Sequence, residues 1–214
     1  METPLERLKL TYAEIQRQRL SEEAAAASTA RLPVIAILED IRSLYNVGSI
    51  FRTGDGAHLE AIYTVGYTPH PPRKEIEKTA LGATRTVPHR HFENIEEAVQ
   101  AARDHPPAPS YSGPEGTLLH RRGSSDQSDS ASLHRRGSFV AALEITSNSR
   151  SIFELTKEDF PLALIIGNEI TGVSDRALAL ADFTLEIPML GAKHSLNVAV
   201  AFGIAAFECV RVSL

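Results

Sequence analysis

Short apolar runs, each closed by glycine and polar residues, alternate along this chain with segments of helical spacing. Residues 33–39, 61–66, 139–145, 161–166 and 183–187 read as strands, and Ile-Val-Leu richness over both side-chain parities suits strands buried on two faces. Helices are expected at 46–58, at about 94–104, at 174–180 and at 195–212. Asn94, with Glu97 three residues on, resembles a capping box. A short extended piece is expected near 84–87, after a basic segment at 73–80. This alternation predicts an α/β fold, a parallel sheet with helices on both faces. Ahead of it, Leu5, Leu8, Tyr12, Ile15 and Leu20 space out an amphipathic helix over residues 3–24. The expected organisation is a helical extension at 1–30 and a main domain at 31–214.

The stretch at about 106–138 breaks the pattern. It is rich in Pro, Gly, Ser and Asp, and it carries Leu119-His120-Arg121-Arg122-Gly123-Ser124 again as Leu133-His134-Arg135-Arg136-Gly137-Ser138. Two copies do not make a solenoid. Few apolar anchors mark it as a low-complexity insertion. The paired arginines could grip phosphates, but a neutral insertion is the favoured reading.

Composition adds constraints. Hydrophobic residues are 43% and charged ones 23%, as in ordinary globular domains. No apolar run is long enough for a membrane helix, and the N-terminus has no apolar signal core. The single cysteine, Cys209, excludes an intrachain disulfide and a cysteine zinc site, and suits a reducing, cytoplasmic setting. No metal-ligand spacing is visible. A net charge of −5 argues against nucleic acid. Yet Arg73, Lys74, Lys78, Arg85 and Arg90 cluster with His70, His89 and His91 against Glu75 and Glu77, forming either a candidate nucleic-acid face or an ordinary solvated helix surface.

The chemistry gathers at three strand ends. Asn46-Val47-Gly48-Ser49-Ile50-Phe51-Arg52 follows the first strand. Gly167-Asn168-Glu169-Ile170-Thr171-Gly172 follows the strand at 161–166. Ile187-Pro188-Met189 leads through a glycine loop to Ser195-Leu196-Asn197-Val198, where Ser and Asn suit a helix start. Such clusters suggest one crevice at the carboxyl edge of a parallel sheet. Gly54-Asp55-Gly56 is not a dinucleotide fingerprint, because it falls at the end of a helix.

Together these three segments resemble the signature motifs of the SpoU/TrmH branch of the SPOUT RNA methyltransferases. The resemblance covers roughly residues 33 to 212, apart from the insertion. It implies a SPOUT α/β fold with a deep C-terminal trefoil knot, a rare exception to the usual topology rules. It implies an S-adenosylmethionine site built by Leu143, Gly167, Ile187, Ser195 and Leu196. On the residues themselves, the apolar three suit an adenine slot, and Gly167 permits close backbone approach to a ligand.

The implied reaction is methyl transfer to a ribose 2′-hydroxyl in RNA, with tRNA favoured over rRNA. Arg52 is the residue placed at the hydroxyl, with Asn46, Glu169, Ser195 and Asn197 expected to hold it and the ribose. A guanidinium pKa above about 12 suits a base poorly. Arg52 could instead clamp a phosphate, stabilise alkoxide charge or pass the proton to a phosphate oxygen. The family habit also implies a homodimer through the helix at 195–212. The alternative is an RNA-binding protein that keeps the fold without catalysis.

Overall fold

The computed structural model describes residues 31–105 and 137–214, with Thr11, Ile15, Ser21 and Ala24 ahead of them. The expected helix over 3–24 and most of the insertion lie outside the described residues.

The elements run β1 (Leu32–Glu39), α1 (Leu44–Gly56), β2 (Leu59–Val65), α2 (Lys74–Ala80), β3 (His89–Phe92), α3 (Ile95–Arg103), β4 (Phe139–Leu143), β5 (Arg150–Ser151), β6 (Leu162–Ile166), α4 (Asp175–Leu180), β7 (Phe183–Glu186) and α5 (Val198–Ser213). Among the described residues the strands form one seven-stranded sheet in the order β3-β2-β1-β6-β4-β7-β5. Every pairing is parallel. The apolar runs read as strands because both faces of the sheet are covered. Phe51 of α1, Ile76 of α2 and Phe202 and Cys209 of α5 pack in one layer. Ile95 and Val99 of α3 and Ala177 of α4 pack in the other. Burying a side chain such as Phe51 or Phe202 contributes roughly 1.5–3 kcal/mol.

Four expectations need correction. The segment near 84–87 is not extended: Ala83–Arg85 is a 3-10 turn, and the strand comes later, at His89–Phe92. Its His-Arg-His start is exposed or half-buried at the sheet edge, so no apolar alternation announces it. The strand expected at 139–145 ends at Leu143, and a two-residue strand, β5, was not anticipated. The last helix starts at Val198 with Asn197 as its cap, which leaves Ser195 in the preceding loop. The Asn94 cap forms, with Oδ1 accepting from the Glu97 N–H at 3.0 Å. Its return bond runs from the Asn94 side-chain amide to Glu97, not from the backbone.

The chain builds outward from β1 to β3, then returns to the far side of β1. The reversal falls between β1 and β6, and ligand sites of open α/β sheets lie near such a reversal, at the carboxyl ends of the strands. α1 starts at this edge and α2 crosses it closely. A Cβ at Gly48 would collide with the Thr79 hydroxyl and the Ile76 carbonyl, so only glycine permits the crossing. On the other layer, Gly137 lies against the backbone of Arg103 and Ser138 is buried. The described fold therefore resumes at Gly137, beside the point where it breaks off.

Candidate active site

Beyond β4, β6 and β7 lies a cavity of about 360 Å³. Leu143, Gly167, Ile187, Ser195 and Leu196, all singled out by the sequence, line it. Glu144, Glu186 and His194 line it too, and no sequence signal marked them.

The loop leaving β6 forms one wall. It closes on itself, with Asn168 N–H donating to the Gly172 carbonyl and Gly172 N–H to the Asn168 carbonyl, both at 3.0 Å. A Cβ at Gly167 would strike the backbone of Gly172 and Val173. Glycine is thus required by the folding of this loop, a different reason from the close ligand approach expected of it. Carboxylates from both neighbouring strands pin the loop's far end. Glu144, just after β4, accepts from the Val173 N–H at 2.9 Å. Glu39, the last residue of β1, accepts from the Ser174 N–H at 3.0 Å and its hydroxyl at 2.6 Å. Asn168 is buried, and its amide donates to the Asp40 carbonyl at 2.7 Å and to the Tyr67 hydroxyl at 2.6 Å.

These bonds aim Glu169 at the start of α1. One oxygen of Glu169 accepts from the Arg42 N–H at 2.9 Å. The other accepts from the Ser43 N–H at 3.1 Å and from Asn46 Nδ2 at 2.9 Å. Partial burial alone would raise this carboxyl's pKa. The Arg42 N–H, the Asn46 amide and the Ser43 N–H outweigh it, so the group lies below the usual range and is ionised at neutral pH. With both oxygens engaged, Glu169 orients its neighbours and is not a free base.

Asn197 completes the set. Its Oδ1 caps α5, accepting from the Ala199 N–H at 2.9 Å. That fixes its amide orientation, and Nδ2 donates to Asn46 Oδ1 at 3.2 Å. Residues from the loop after β6, from α1 and from the cap of α5 thus form one directed chain, Asn197 to Asn46 to Glu169. Each asparagine amide has two N–H groups and spends one here. Two N–H donors remain at the mouth of the crevice for the oxygens of a polar ligand.

Two expected residues stand apart. Ser195 lines the cavity but makes no hydrogen bond among the described residues. Arg52 lies on α1 about 9 Å along the axis from Asn46 at 1.5 Å per residue. It is exposed and bonded to none of Asn46, Glu169, Ser195 or Asn197, contrary to the expectation that they hold it. Arg73, Lys74 and Lys78 are exposed at and along α2, and Arg85 is exposed in the turn after it. Cys209 is fully buried, and burial first, then Glu208, pushes its thiol up to about 12. Among the described residues no cluster of three His, Cys, Asp or Glu could hold a metal ion, and no helix is long and apolar enough to cross a membrane.

Known proteins are similar to this chain in sequence and fold. The SpoU rRNA Methylase family matches residues 33–109 and 124–207. A tRNA (guanosine(18)-2'-O)-methyltransferase of Thermus thermophilus is 29% identical over 198 residues, 92% of this chain and 84% of that protein. The chain spans less of other relatives, 59% of a TrmH family protein from Staphylococcus haemolyticus that is 24% identical. Two solved structures have the same fold. The A. aeolicus TrmH/SpoU tRNA modifying enzyme superposes with a TM-score of 0.65 at 22% identity, over 94% of this chain and 82% of that one. The AdoMet-bound rRNA methyltransferase from Sinorhizobium meliloti does so with a TM-score of 0.64 at 24% identity, over 85% and 60%. With both halves of the sheet matched, and the loops after β1, β6 and β7 inside the matched segments, the chain belongs to the SpoU/TrmH family of SPOUT methyltransferases.

Proposed function

We propose that this chain methylates a ribose 2′-hydroxyl of RNA, with tRNA favoured over rRNA and S-adenosylmethionine as methyl donor. The observation that carries the reading is the Asn197–Asn46–Glu169 chain at the mouth of a cavity of suitable size. The Thermus relative, whose name states a 2'-O-methylation of tRNA, supports the choice of atom and of RNA.

The cavity fits the donor. Its volume lies within the usual range for small-molecule sites, about 300–1,000 Å³. Leu143, Ile187 and Leu196 provide apolar surface for an adenine. Residues 188–196 make no hydrogen bond among the described residues, which leaves backbone donors and acceptors for the base edge. Glu144, Glu169 and Glu186 give the lining a negative character suited to a cation. Bound S-adenosylmethionine would supply an electrophilic methyl group on a sulfonium.

The chain's own residues do the rest. The free amide N–H groups of Asn46 and Asn197 orient the ribose. Positioning of this kind is the main source of acceleration when one group must lie in line with another. Arg52 serves as an electrostatic clamp for RNA phosphate, with Arg73, Lys74, Lys78 and Arg85 as further cations. A homodimer through α5, the SPOUT knot, a cytoplasmic location and an inserted segment within a single catalytic domain belong to the same proposal. The exposed Val200 and Phe207 on α5, 52% each, support the dimer.

The test is incubation with labelled S-adenosylmethionine and either unmodified tRNA or rRNA, followed by nucleoside mass analysis. A 2′-O-methyl nucleoside is expected. Methylation confined to bases would refute the reading, and RNA binding with no methyl transfer would favour a binding protein that keeps the fold.

A further inference from the structure

Two exposed tyrosines adjoin members of the polar set, Tyr45 next to Asn46 in the chain and Tyr67 bonded to Asn168, the neighbour of Glu169. Tyr45 precedes Asn46 in the first turn of α1 and is 52% exposed. Tyr67 follows β2 and is 61% exposed. Neither belongs to the buried core, and exposed tyrosine rings are suited to contact a partner.

The Tyr67 ring is anchored, and Tyr45 is held by its backbone. The Tyr67 backbone N–H donates to Asp40 Oδ1 at 3.1 Å. At the other end of the residue, its hydroxyl accepts from Asn168 Nδ2 at 2.6 Å. Asn168 adjoins Glu169, so Tyr67 is tied to the loop that aims that carboxylate. Tyr45 is fixed through its carbonyl, which accepts from the Thr79 hydroxyl at 3.1 Å. Its own hydroxyl has no partner among the described residues. An exposed ring anchored as Tyr67 is loses little conformational entropy when a flat group settles on it. Exposed cations lie before α1 and on α2, which packs against it: Arg42 just before α1, Arg73 at the cap of α2, and Lys74 and Lys78 along it, with Glu75 the exposed acid among them. Aromatic faces interleaved with cations suit unpaired nucleotides, because bases stack on rings while phosphates meet the charges.

We propose that Tyr45 and Tyr67 form a stacking platform for unpaired bases on either side of the nucleotide held by Asn46 and Asn197. The inference rests on the proposed RNA reading, and it predicts a requirement for single-stranded character at the modified position. A base in a continuous helix cannot reach either ring without leaving its stack.

The experiment measures binding of a fluorescein-labelled, unmodified tRNA transcript and of a fully paired RNA duplex of similar length. Wild type is compared with Tyr45→Leu, Tyr45→Phe, Tyr67→Leu and Tyr67→Phe. Each leucine variant should lose roughly 5- to 150-fold in tRNA affinity, the range of one lost base stack. Tyr45→Phe should match wild type, since the ring alone does the work. Tyr67→Phe should fall between wild type and Tyr67→Leu, because it keeps the ring but loses its anchor. S-adenosylmethionine affinity should stay unchanged in all four, which separates lost stacking from a damaged loop. Duplex affinity should be indifferent to every substitution. The platform is overturned if the leucine variants bind tRNA like wild type, or if Tyr45→Phe is as weak as Tyr45→Leu. Dissociation of the leucine variants into smaller species would also overturn it, by assigning the rings to a subunit interface. Because binding is read without turnover, tyrosine-dependent tRNA binding with no methyl transfer would sink the catalytic reading alone. Methyl transfer indifferent to the tyrosines would sink the platform alone.

Discussion

Glu169→Gln changes one atom type and no volume, so it isolates what the carboxylate does. Glu169 now accepts three hydrogen bonds, from Arg42 N, Ser43 N and Asn46 Nδ2. A glutamine can place its single oxygen toward either side, and its NH₂ must then face at least one donor. Hydrogen bonds to a charged group are worth roughly 1.5–3 kcal/mol each when shielded. Here the acid is exposed, so water substitutes for lost partners and screening reduces the gain. About 1–2 kcal/mol is a reasonable net loss, or a melting temperature lower by roughly 2–8 °C for a chain of this size. The effect on turnover should be larger. Loosening Asn46 by about 1 Å can cost on the order of 100-fold in rate. The pH dependence gives a sharper signature. Folding lowers the pKa of Glu169, so its contribution is present above the ordinary glutamate value of about 4.3 and is lost as pH falls through the lower folded value. The stability gap between wild type and Glu169→Gln should therefore be constant above about pH 5 and close below about pH 4. Denaturant melts across that range measure it directly. A gap that does not change with pH, or a glutamine variant with wild-type stability and turnover, would show that this carboxylate does not organise the start of α1.

Three further outcomes follow from the same geometry. Arg52→Ala should abolish methyl transfer while leaving S-adenosylmethionine affinity intact, since Arg52 does not line the cavity, and Arg52→Lys should also fail because a point charge cannot replace a planar fork; calorimetry and a turnover assay separate the two quantities. Light scattering at micromolar concentration should give the mass of a dimer, and Phe207→Glu on the exposed face of α5 should shift it toward monomer. Deleting 106–136 and joining Arg103-Asp104-His105 to Gly137 with a short Gly-Ser linker should cost little stability, because Arg103 and Gly137 already touch; retained donor binding is the check, and aggregation would show that the segment belongs to the core.

Where apolar patterning was strong, the chain announced its structure. All five residues of β6 are buried, and Leu-Ala-Leu-Ile-Ile could hardly be read otherwise. Edge strands lack this signal. β3 reads His-Arg-His-Phe because only Phe92 must be buried, and β5 is a two-residue strand. At the site, asparagine and glutamate beside glycine were legible as motifs, and the bonds joining Asn46, Glu169 and Asn197 agree with their grouping. Their supports were not legible. Glu39 and Glu144 are single acids at strand ends, and only sheet order places them on either side of β6. Tyr67 was invisible for the same reason, since nothing local links it to Asn168.

The position of β1 in the sheet has a consequence for how the protein is made. β1 lies between β2 and β6, so half of its pairing waits for a strand translated far later. Asp40 and its partner Asn168 are 128 residues apart. At about 5–20 residues per second, a ribosome needs roughly 6 to 25 s to cover that distance. During that interval the growing chain carries β1 with one unsatisfied edge, a template for unwanted strand pairing that nascent-chain chaperones are suited to cover. Asn197 is translated later still, after Asn168. No truncated product that stops before Asn197 can assemble the Asn197–Asn46–Glu169 set, so fragments released early carry an incomplete site.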